Sequence, residues 1–301
     1  RTVPLKEFLA KSGTAGIAGA AYLIPDKIYQ VLYDSAVQTD VCADISAAMI
    51  PADQIPGTTL KVDIEVDDSY YPKKYSSGGQ MPTETIKTVQ ATMDFSSSFG
   101  INFRIANDLL EDSQFDLIEL HLREAGREMG EYATDAALTI LKTAPDGDGT
   151  LNDTGSTDDQ TLMSDFFAAY RLIVKNGFIP DTYVLPHEVW LDALVTDTTY
   201  SPYAQVWHDA VISSTPSPTI LGCKLIFVDQ VRISALNPAG DWTGCYSLLF
   251  AKQYALLTGR KRWLRIEKYS DPVRDLVGAT VTSRQDSVTM YKDAICTISE
   301  A

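Results

Sequence analysis

Histidine is nearly absent from this chain: His121, His187 and His208 are all that 301 positions provide. A metal centre or acid–base pair built on imidazole is therefore hard to assemble. His121 falls on the flank of a predicted helix, and His187-Glu188 lies in PHEVW, which lacks the second histidine of a zinc-protease helix. Cysteine is equally sparse. Cys42, Cys223, Cys245 and Cys296 are far apart and form no CxxC pair. That spacing argues against zinc or redox use and predicts reduced core thiols, made in a reducing, intracellular place. There is no GxSxG, no Walker-type glycine loop and no GxGxxG after a strand. Carboxylates are plentiful but scattered. Asp67-Asp68 and Asp158-Asp159 fall in predicted loops, where solvated charge is expected rather than an acid and a base. The stretch with Asp146, Asp148, Asn152 and Asp153 resembles a calcium loop without its turn glycine or its closing glutamate, so a polar loop is expected. No catalytic, cofactor or metal residue is assigned, and no enzyme activity is expected.

Long apolar runs are also missing. The nearest, Gly13 to Ile24, ends at Pro25 and Asp26, short of the ~20 residues a membrane helix needs, and it lacks the order of a secretory signal. Basic charge is short too: 25 Lys and Arg stand against 40 Asp and Glu, for a net charge of −15. Such a surface repels nucleic acid on average and argues against a sequence-specific DNA binder, while the wall of a container for nucleic acid tolerates it. Fourteen lysines argue against acidity as a mark of a salty habitat. The first residue is Arg1, which trimming or proteolytic maturation would each explain.

What is present is a long stretch of strand periodicity followed by one long helix. Val89, Ala91, Met93, Phe95, Ser97, Phe99, Ile101, Phe103 and Ile105 recur at period two, the mark of a strand with one buried face. Leu60, Val62, Ile64 and Val66 alternate upstream with Lys61, Asp63, Glu65 and Asp67. Between them lies a polar tip, Asp68 to Pro82. The pattern predicts a hairpin whose return arm, Glu84 to Ile105, extends ~70 Å at ~3.3 Å per residue. A compact body of this length has a radius of gyration of only ~19 Å. A two-stranded ribbon is marginal alone in water, so a neighbouring copy is expected to cover it.

After Asn107, a good helix cap, Phe115, Ile118, Leu122, Ala125, Met129, Ala133, Ala136 and Ile140 form one apolar stripe. A helix lying across a sheet is favoured over a coiled coil, because regular opposite-charge flanks are missing. Other expected helices are Asp26 to Tyr33, Asp40 to Met49, Gln160 to Lys175 and Pro186 to Leu194. Expected strands are Thr182 to Leu185, Lys224 to Asp229, Ser247 to Leu257, Trp263 to Lys268, Leu276 to Ser283 and Val288 to Ile298. Helices and strands segregate, which gives an α+β class. The basic run Gly259 to Arg265 either touches phosphates or marks a turn and a polar strand face meeting an acidic neighbour; the second reading is favoured.

The order of these parts resembles the major capsid proteins of tailed double-stranded DNA viruses, the Hong Kong 97-type fold shared with encapsulin shells. Three stretches carry the likeness: PDTYVLPHEVWLDAL (180–194), ILGCKLIFVDQV (220–231) and DPVRDLVGATVTSRQDSVTMYKDAICTI (271–298). The resemblance implies an N-terminal arm (1–56) and an extended loop (57–105). It implies a peripheral domain with the spine helix (106–160 and 258–288) and an axial domain (161–257 and 289–301). It implies a structural homo-oligomer of hexamers and pentamers in an icosahedral virion capsid, assembled in the host cytoplasm. A scaffold, a maturation protease, a portal and cement proteins are the implied partners, with no membrane. Packaged double-stranded DNA would be held weakly and without sequence specificity. The alternative is an encapsulin-like nanocompartment around a cargo enzyme.

Some members of that family weld subunits through a lysine–asparagine bond with a glutamate as base. Here Asp275 stands at the asparagine position and Thr282 at the glutamate position, so welding is not expected although Lys73 and Lys74 are at hand. Candidate contacts between subunits are Tyr70, Tyr71, Lys73, Lys74, Tyr75, Arg260, Lys261, Arg262, Arg274 and Asp275.

Overall fold

The computed structural model describes residues 20–65, 88–106, 117–144, 150–152, 163–186, 219–228, 236, 246–271 and 273–299. Two helices lead: α1 (Ala20–Thr39) and the short α2 (Cys42–Ile45). Then come β1 (Ala48–Ile50), β2 (Thr59–Glu65), β3 (Thr88–Asp94) and β4 (Phe99–Ala106). The spine helix α3 (Leu117–Thr143) is followed by β5 (Thr150–Asn152), α4 (Met163–Lys175) and β6 (Thr182–Pro186). The chain closes with β7 (Thr219–Ile220), β8 (Cys223–Val228), β9 (Tyr246–Phe250), α5 (Lys252–Ala255), β10 (Leu256–Asp271), β11 (Leu276–Thr289) and β12 (Ile295–Ser299).

The strands form a four-stranded sheet, β1-β10-β11-β4, a six-stranded sheet, β5-β12-β9-β6-β8-β7, and the ribbon β2-β3. The α+β class holds. β6 is buried along its whole length, as suits a strand in the middle of its sheet. β5 pairs in parallel with β12 at one edge of the six-stranded sheet.

Several expected elements differ. The periodic stretch from Val89 to Ile105 is two strands in two sheets. β3 pairs with β2, whereas β4 pairs with β11, from Leu276↔Ala106 to Ser283↔Phe99. The break is a side-chain turn: the Asp94 carboxylate accepts the backbone N–H of Ser96 at 2.8 Å and its hydroxyl at 2.8 Å. The apolar residues flanking the break, Phe95 and Phe99, are an even number of positions apart, so the period runs through it in phase. The single ~70 Å arm is therefore not formed; residues 66–87, with the expected tip, lie outside the described residues.

The first helix is longer than expected, and the second shrinks to α2 because β1 pairs in parallel with β10 from Ala48↔Leu257 onward. The expected strand Ser247 to Leu257 is interrupted by α5, and Val288 to Ile298 by a 3-10 turn, Lys292–Ala294. In α4, Phe166 and Ile173 are fully buried, and Gly177 follows the helix end at φ +89°. The predicted helix at 186–194 lies largely outside the described residues.

The spine stripe holds from Leu122 through Ala133 and then shifts. Ala136 is exposed, and Ala137, Leu138 and Leu141 take the buried face. The reason is that α3 spans two cores. Its first half packs Leu122 and Met129 against Leu32, Ala36, Leu264 and Val281. Its second half packs Ala137, Leu138 and Leu141 against Val184, Leu248, Phe250 and Ile295 of the six-stranded sheet. One helix thus ties both sheets together.

α1 crosses this helix at backbone contact. A Cβ on Gly126 would sit 2.5 Å from the Leu32 carbonyl oxygen; one on Gly130 would sit 2.5 Å from that of Ala36 and 2.2 Å from the Thr39 hydroxyl. Side-chain hydroxyls complete the seam. Ser35 donates to the Arg123 carbonyl at 2.6 Å and Thr39 to that of Arg127 at 3.1 Å. Thr134 donates to the Thr39 carbonyl at 3.1 Å and accepts the Val41 N–H at 3.2 Å.

Glycine to alanine inside a helix ordinarily stabilises by ~0.5–1 kcal/mol. Gly130→Ala is expected to reverse that sign and destabilise the protein by about 1–3 kcal/mol, through overpacking against α1. Chemical denaturation of the variant checks it; a neutral or stabilising result would show that the two helices do not touch in this way.

Candidate functional site

The basic run lies inside a strand, not at a turn. Along β10 the pairing with β11 shifts register between Arg260 and Arg262 and again between Arg262 and Arg265. In a regular strand, residues three apart point to opposite faces. The bulges change that, so Arg260 stacks its guanidinium 3.8 Å above the ring of Trp263.

Arg260 is the centre of a closed network. It pairs with Asp40 at 2.6 Å, with side chains 20% and 6% exposed. Its Nε donates to Gln285 Oε1 at 3.0 Å. Gln285 Nε2 donates to the Cys42 sulfur at 3.3 Å, and Cys42 in turn donates to the Ala133 carbonyl of the spine at 3.3 Å. The Asp40 carboxylate also accepts the Cys42 backbone N–H at 3.0 Å, and so holds the start of α2. Burial, reinforced by the nearby Asp40 charge, pushes the Cys42 thiol far up, so it stays a neutral S–H donor. Cys223 is pushed up to about 12 by burial, with Asp181 adding to it. Cys42, Cys223 and Cys296 are all buried and none forms a disulfide. Cys245 lies outside the described residues.

The other basic residues are also engaged within the chain. Lys261 donates to the Gly57 carbonyl, and Arg262 to the Thr282 hydroxyl at 3.0 Å. Next to them sits the base of the hairpin. Gly259 leaves room for Phe95, since a Cβ there would sit 2.5 Å from its ring. Met93 and Phe95 are buried with Ile55, and Leu60, Val62, Leu257 and Val288 pack around them. Asp286 accepts the Asp94 N–H at 2.6 Å, and Arg284 donates to the Ser96 carbonyl at 3.2 Å. The hydrogen bonds from the Ser96 backbone and hydroxyl hold the exposed Asp94 carboxyl below its ordinary value.

Arg274 and Asp275 are exposed in the turn between β10 and β11, where Asp275 adopts φ +50°. Thr282 lies mid-strand, opposite Gly100 and Arg265. Tyr70, Tyr71, Lys73, Lys74 and Tyr75 fall outside the described residues, as do His187, His208 and most of the calcium-like stretch. His121 is exposed on the spine's flank. Among the described residues no group of three or more His, Cys, Asp or Glu converges on a metal-sized site, and no helix is long and apolar enough to cross a membrane. The Asp40–Arg260 network gave no sequence signal, since its members are 220 positions apart.

Arg260→Ala would leave the Asp40 carboxylate buried without its cation, at an expected cost of about 3–5 kcal/mol. Asp40→Asn combined with Arg260→Met removes both charges and is expected to lose less than the sum of the single changes. Denaturation midpoints of the three variants measure this, and strict additivity would contradict the pairing.

No protein-family profile and no curated protein sequence matches the chain. Solved structures do. The capsid of the native GTA particle superposes at TM-score 0.66 and 13% identity, over 87% of this chain and 90% of that one. A structure from Microbacterium phage Oxtober96 gives TM-score 0.63 and 14% identity, over 86% and 90%. The virus-like particle from Pyrococcus furiosus gives TM-score 0.61 and 12% identity, over 91% and 98%. Identity at this level speaks to architecture alone. That architecture extends over most of both chains in each case, and this chain has the Hong Kong 97-type capsid fold.

Proposed function

We propose that this chain is a major capsid protein, a structural subunit that assembles through hexamers and pentamers into an icosahedral shell around double-stranded DNA. The observation that carries the reading is the likeness, over nearly nine tenths of the chain, to the capsid of a native particle. In this reading the four-stranded sheet and α3 form the peripheral domain, and the six-stranded sheet forms the axial domain. The ribbon β2-β3, fixed at its base by Phe95 and Asp286, carries the extended loop toward a neighbouring copy. Tyr70, Tyr71, Lys73, Lys74 and Tyr75 on that loop, together with Arg274 and Asp275 at an exposed turn, are the proposed contacts between subunits. Arg260, Lys261 and Arg262 serve the subunit's own fold first, and any contact with a neighbour is additional. A net charge of −15 suits a wall that encloses DNA without gripping it. No catalysis is assigned, and the proposed location is the virion.

A second reading is a nanocompartment around a protein cargo, favoured by the likeness to a virus-like particle covering 98% of that chain. The contents separate the two. Nuclease-protected DNA inside purified particles supports the first reading; a co-purifying enzyme and no nucleic acid support the second.

Purified protein is expected to form rings and closed shells by electron microscopy and sedimentation. A monodisperse monomer across wide ranges of concentration and salt would sink both readings. The shell is also expected to be held without covalent welding. A carboxylate at Asp275 is a poor acyl donor to lysine, and the Thr282 hydroxyl is a weak base already engaged by Arg262. Particles boiled in detergent should therefore run as one band near 33.1 kDa. A ladder of multiples that survives reducing agent would refute this.

A further inference from the structure

The two larger sheets have four edge strands between them, and three of these are short. β1 and β5 have three residues each and β7 has two. The fourth, β4, runs for eight residues, Phe99–Ala106. An edge strand presents backbone N–H and C=O groups along its open side, and proteins ordinarily blunt it with proline, lysine, a bulge or an inward charge. β4 carries none of these. It contains no proline or lysine, and it pairs with β11 at eight consecutive positions without a register shift. Among the described residues, β11 is the strand it pairs with.

The apolar side of β4 is also incompletely covered. Phe99, Ile101 and Phe103 are partly buried, whereas Ala279 and Val281 on the adjoining β11 are 6% and 0% exposed. Tyr132 of α3, itself exposed, stands beside Phe99 with ring centroids 4.7 Å apart. The polar side is set in place. The Tyr269 ring passes over Gly278, where a Cβ would sit 2.6 Å from it. Its hydroxyl donates to Asn102 Oδ1 at 2.7 Å and accepts from Arg104 Nε at 2.9 Å.

Such an edge asks for another extended backbone with one apolar side, and β4 itself answers it. Pairing with its own copy must be antiparallel about a two-fold axis and must keep the apolar sides together. An axis at Asn102, near the middle of the strand, does both. Ile101 then lies opposite Phe103, an aromatic–β-branched pair that occurs twice. Arg104, the one charge of the strand, lies opposite Gly100. The two Arg104 positions are four steps apart, ~13 Å at ~3.3 Å per residue, beyond the ~10 Å over which exposed charges act. The adjoining positions of β11 on the same side, Gly278, Thr280 and Thr282, are uncharged. Farther in, Arg265 pairs with Glu267, and Glu128, one turn before Tyr132, pairs with Arg127. A neighbour's ribbon answers the edge less fully, since its Leu60, Val62 and Met93 already pack around Phe95 in their own chain.

We propose that the free edge of β4 pairs with β4 of a second copy, antiparallel about a two-fold axis at Asn102, and joins two four-stranded sheets into one of eight. The inference rests on the shell reading for its second copy and names the backbone that the two copies share.

Asn102→Cys sets two thiols face to face across that axis. In the assembled full chain, mild oxidation is expected to give a dimer at twice the 33.1 kDa of the chain, which reducing agent separates. Thr280→Cys, directly opposite Asn102 on the next strand inward, places its thiols ~14 Å apart and should stay unlinked. Asn102→Asp keeps an acceptor for Tyr269 but puts like charges directly opposite each other. It is expected to raise the protein concentration for half-assembly about fivefold and to leave the melting temperature of the unassembled subunit unchanged. Assembled Asn102→Cys that does not link, or Asn102→Asp that assembles at the wild-type concentration, overturns the pairing and leaves the shell reading intact. Thr280→Cys that links as readily overturns it too. So does Asn102→Cys that links to Asp63→Cys on another copy and not to its own kind, which assigns the edge to a neighbour's ribbon. A chain that neither assembles nor links through Asn102→Cys overturns the shell reading and the pairing together.

Discussion

The partly buried ion pair between Asp40 and Arg260 is the contact on which the rest of this architecture turns. It joins the helical layer to the long strand β10, and it is stacked on Trp263 and bridged through Gln285 to Cys42. Two charges removed from water cost several kcal/mol each before their attraction is counted. The pair is tolerable only because hydrogen bonds surround it. Asp40 accepts a helix-start N–H, and Arg260 gives a second donor to Gln285. The aromatic face beneath the guanidinium adds ~1–2 kcal/mol in a site so poorly solvated. A hydrophobic substitute of the same volume would pack as well but would not fix the register of β10 against α2.

That fixed register is what positions the hairpin. The Gly259 seat for Phe95 lies one residue from Arg260, so the β10 geometry that suits the ion pair also sets where the ribbon leaves the body. The spine helix works on the other side. Gly126 and Gly130 let α1 approach at backbone distance, and along the same helix Leu122 and Met129 pack on the four-stranded sheet while Leu138 and Leu141 pack on the six-stranded one. The body is thus a pair of sheets packed on one helix, with a ribbon anchored at one end.

Much of this was legible in the sequence. The alternation of Leu60, Val62 and Ile64 lies in β2, the expected helix Gln160 to Lys175 is α4 from Met163 onward, and Cys42, Cys223 and Cys296 are buried free thiols. The candidate contacts were less legible. Arg260 to Arg262 read as a turn and a polar strand face meeting an acidic neighbour because the local sequence shows a basic cluster, whereas each cation has a partner in its own chain, 20 to 220 positions away. The close crossing at Gly126 and Gly130 had a signal, two glycines four apart within a helix, but nothing local said which surface they would meet.

By itself the sequence determined the elements and the class. Period two and period 3.6 follow from backbone geometry and from which side chains must leave water, and both are local facts. The order of parts then resembled one capsid architecture. Only the tertiary structure decided that the stretch from Val89 to Ile105 divides between two sheets, because an even spacing across the break leaves the local pattern unchanged. It alone decided that Arg260 faces Asp40, and that Leu221 holds a positive φ at an exposed turn. Those outcomes depend on strand pairing and chain closure over long separations, and no local window of side chains records which distant backbone will arrive beside it.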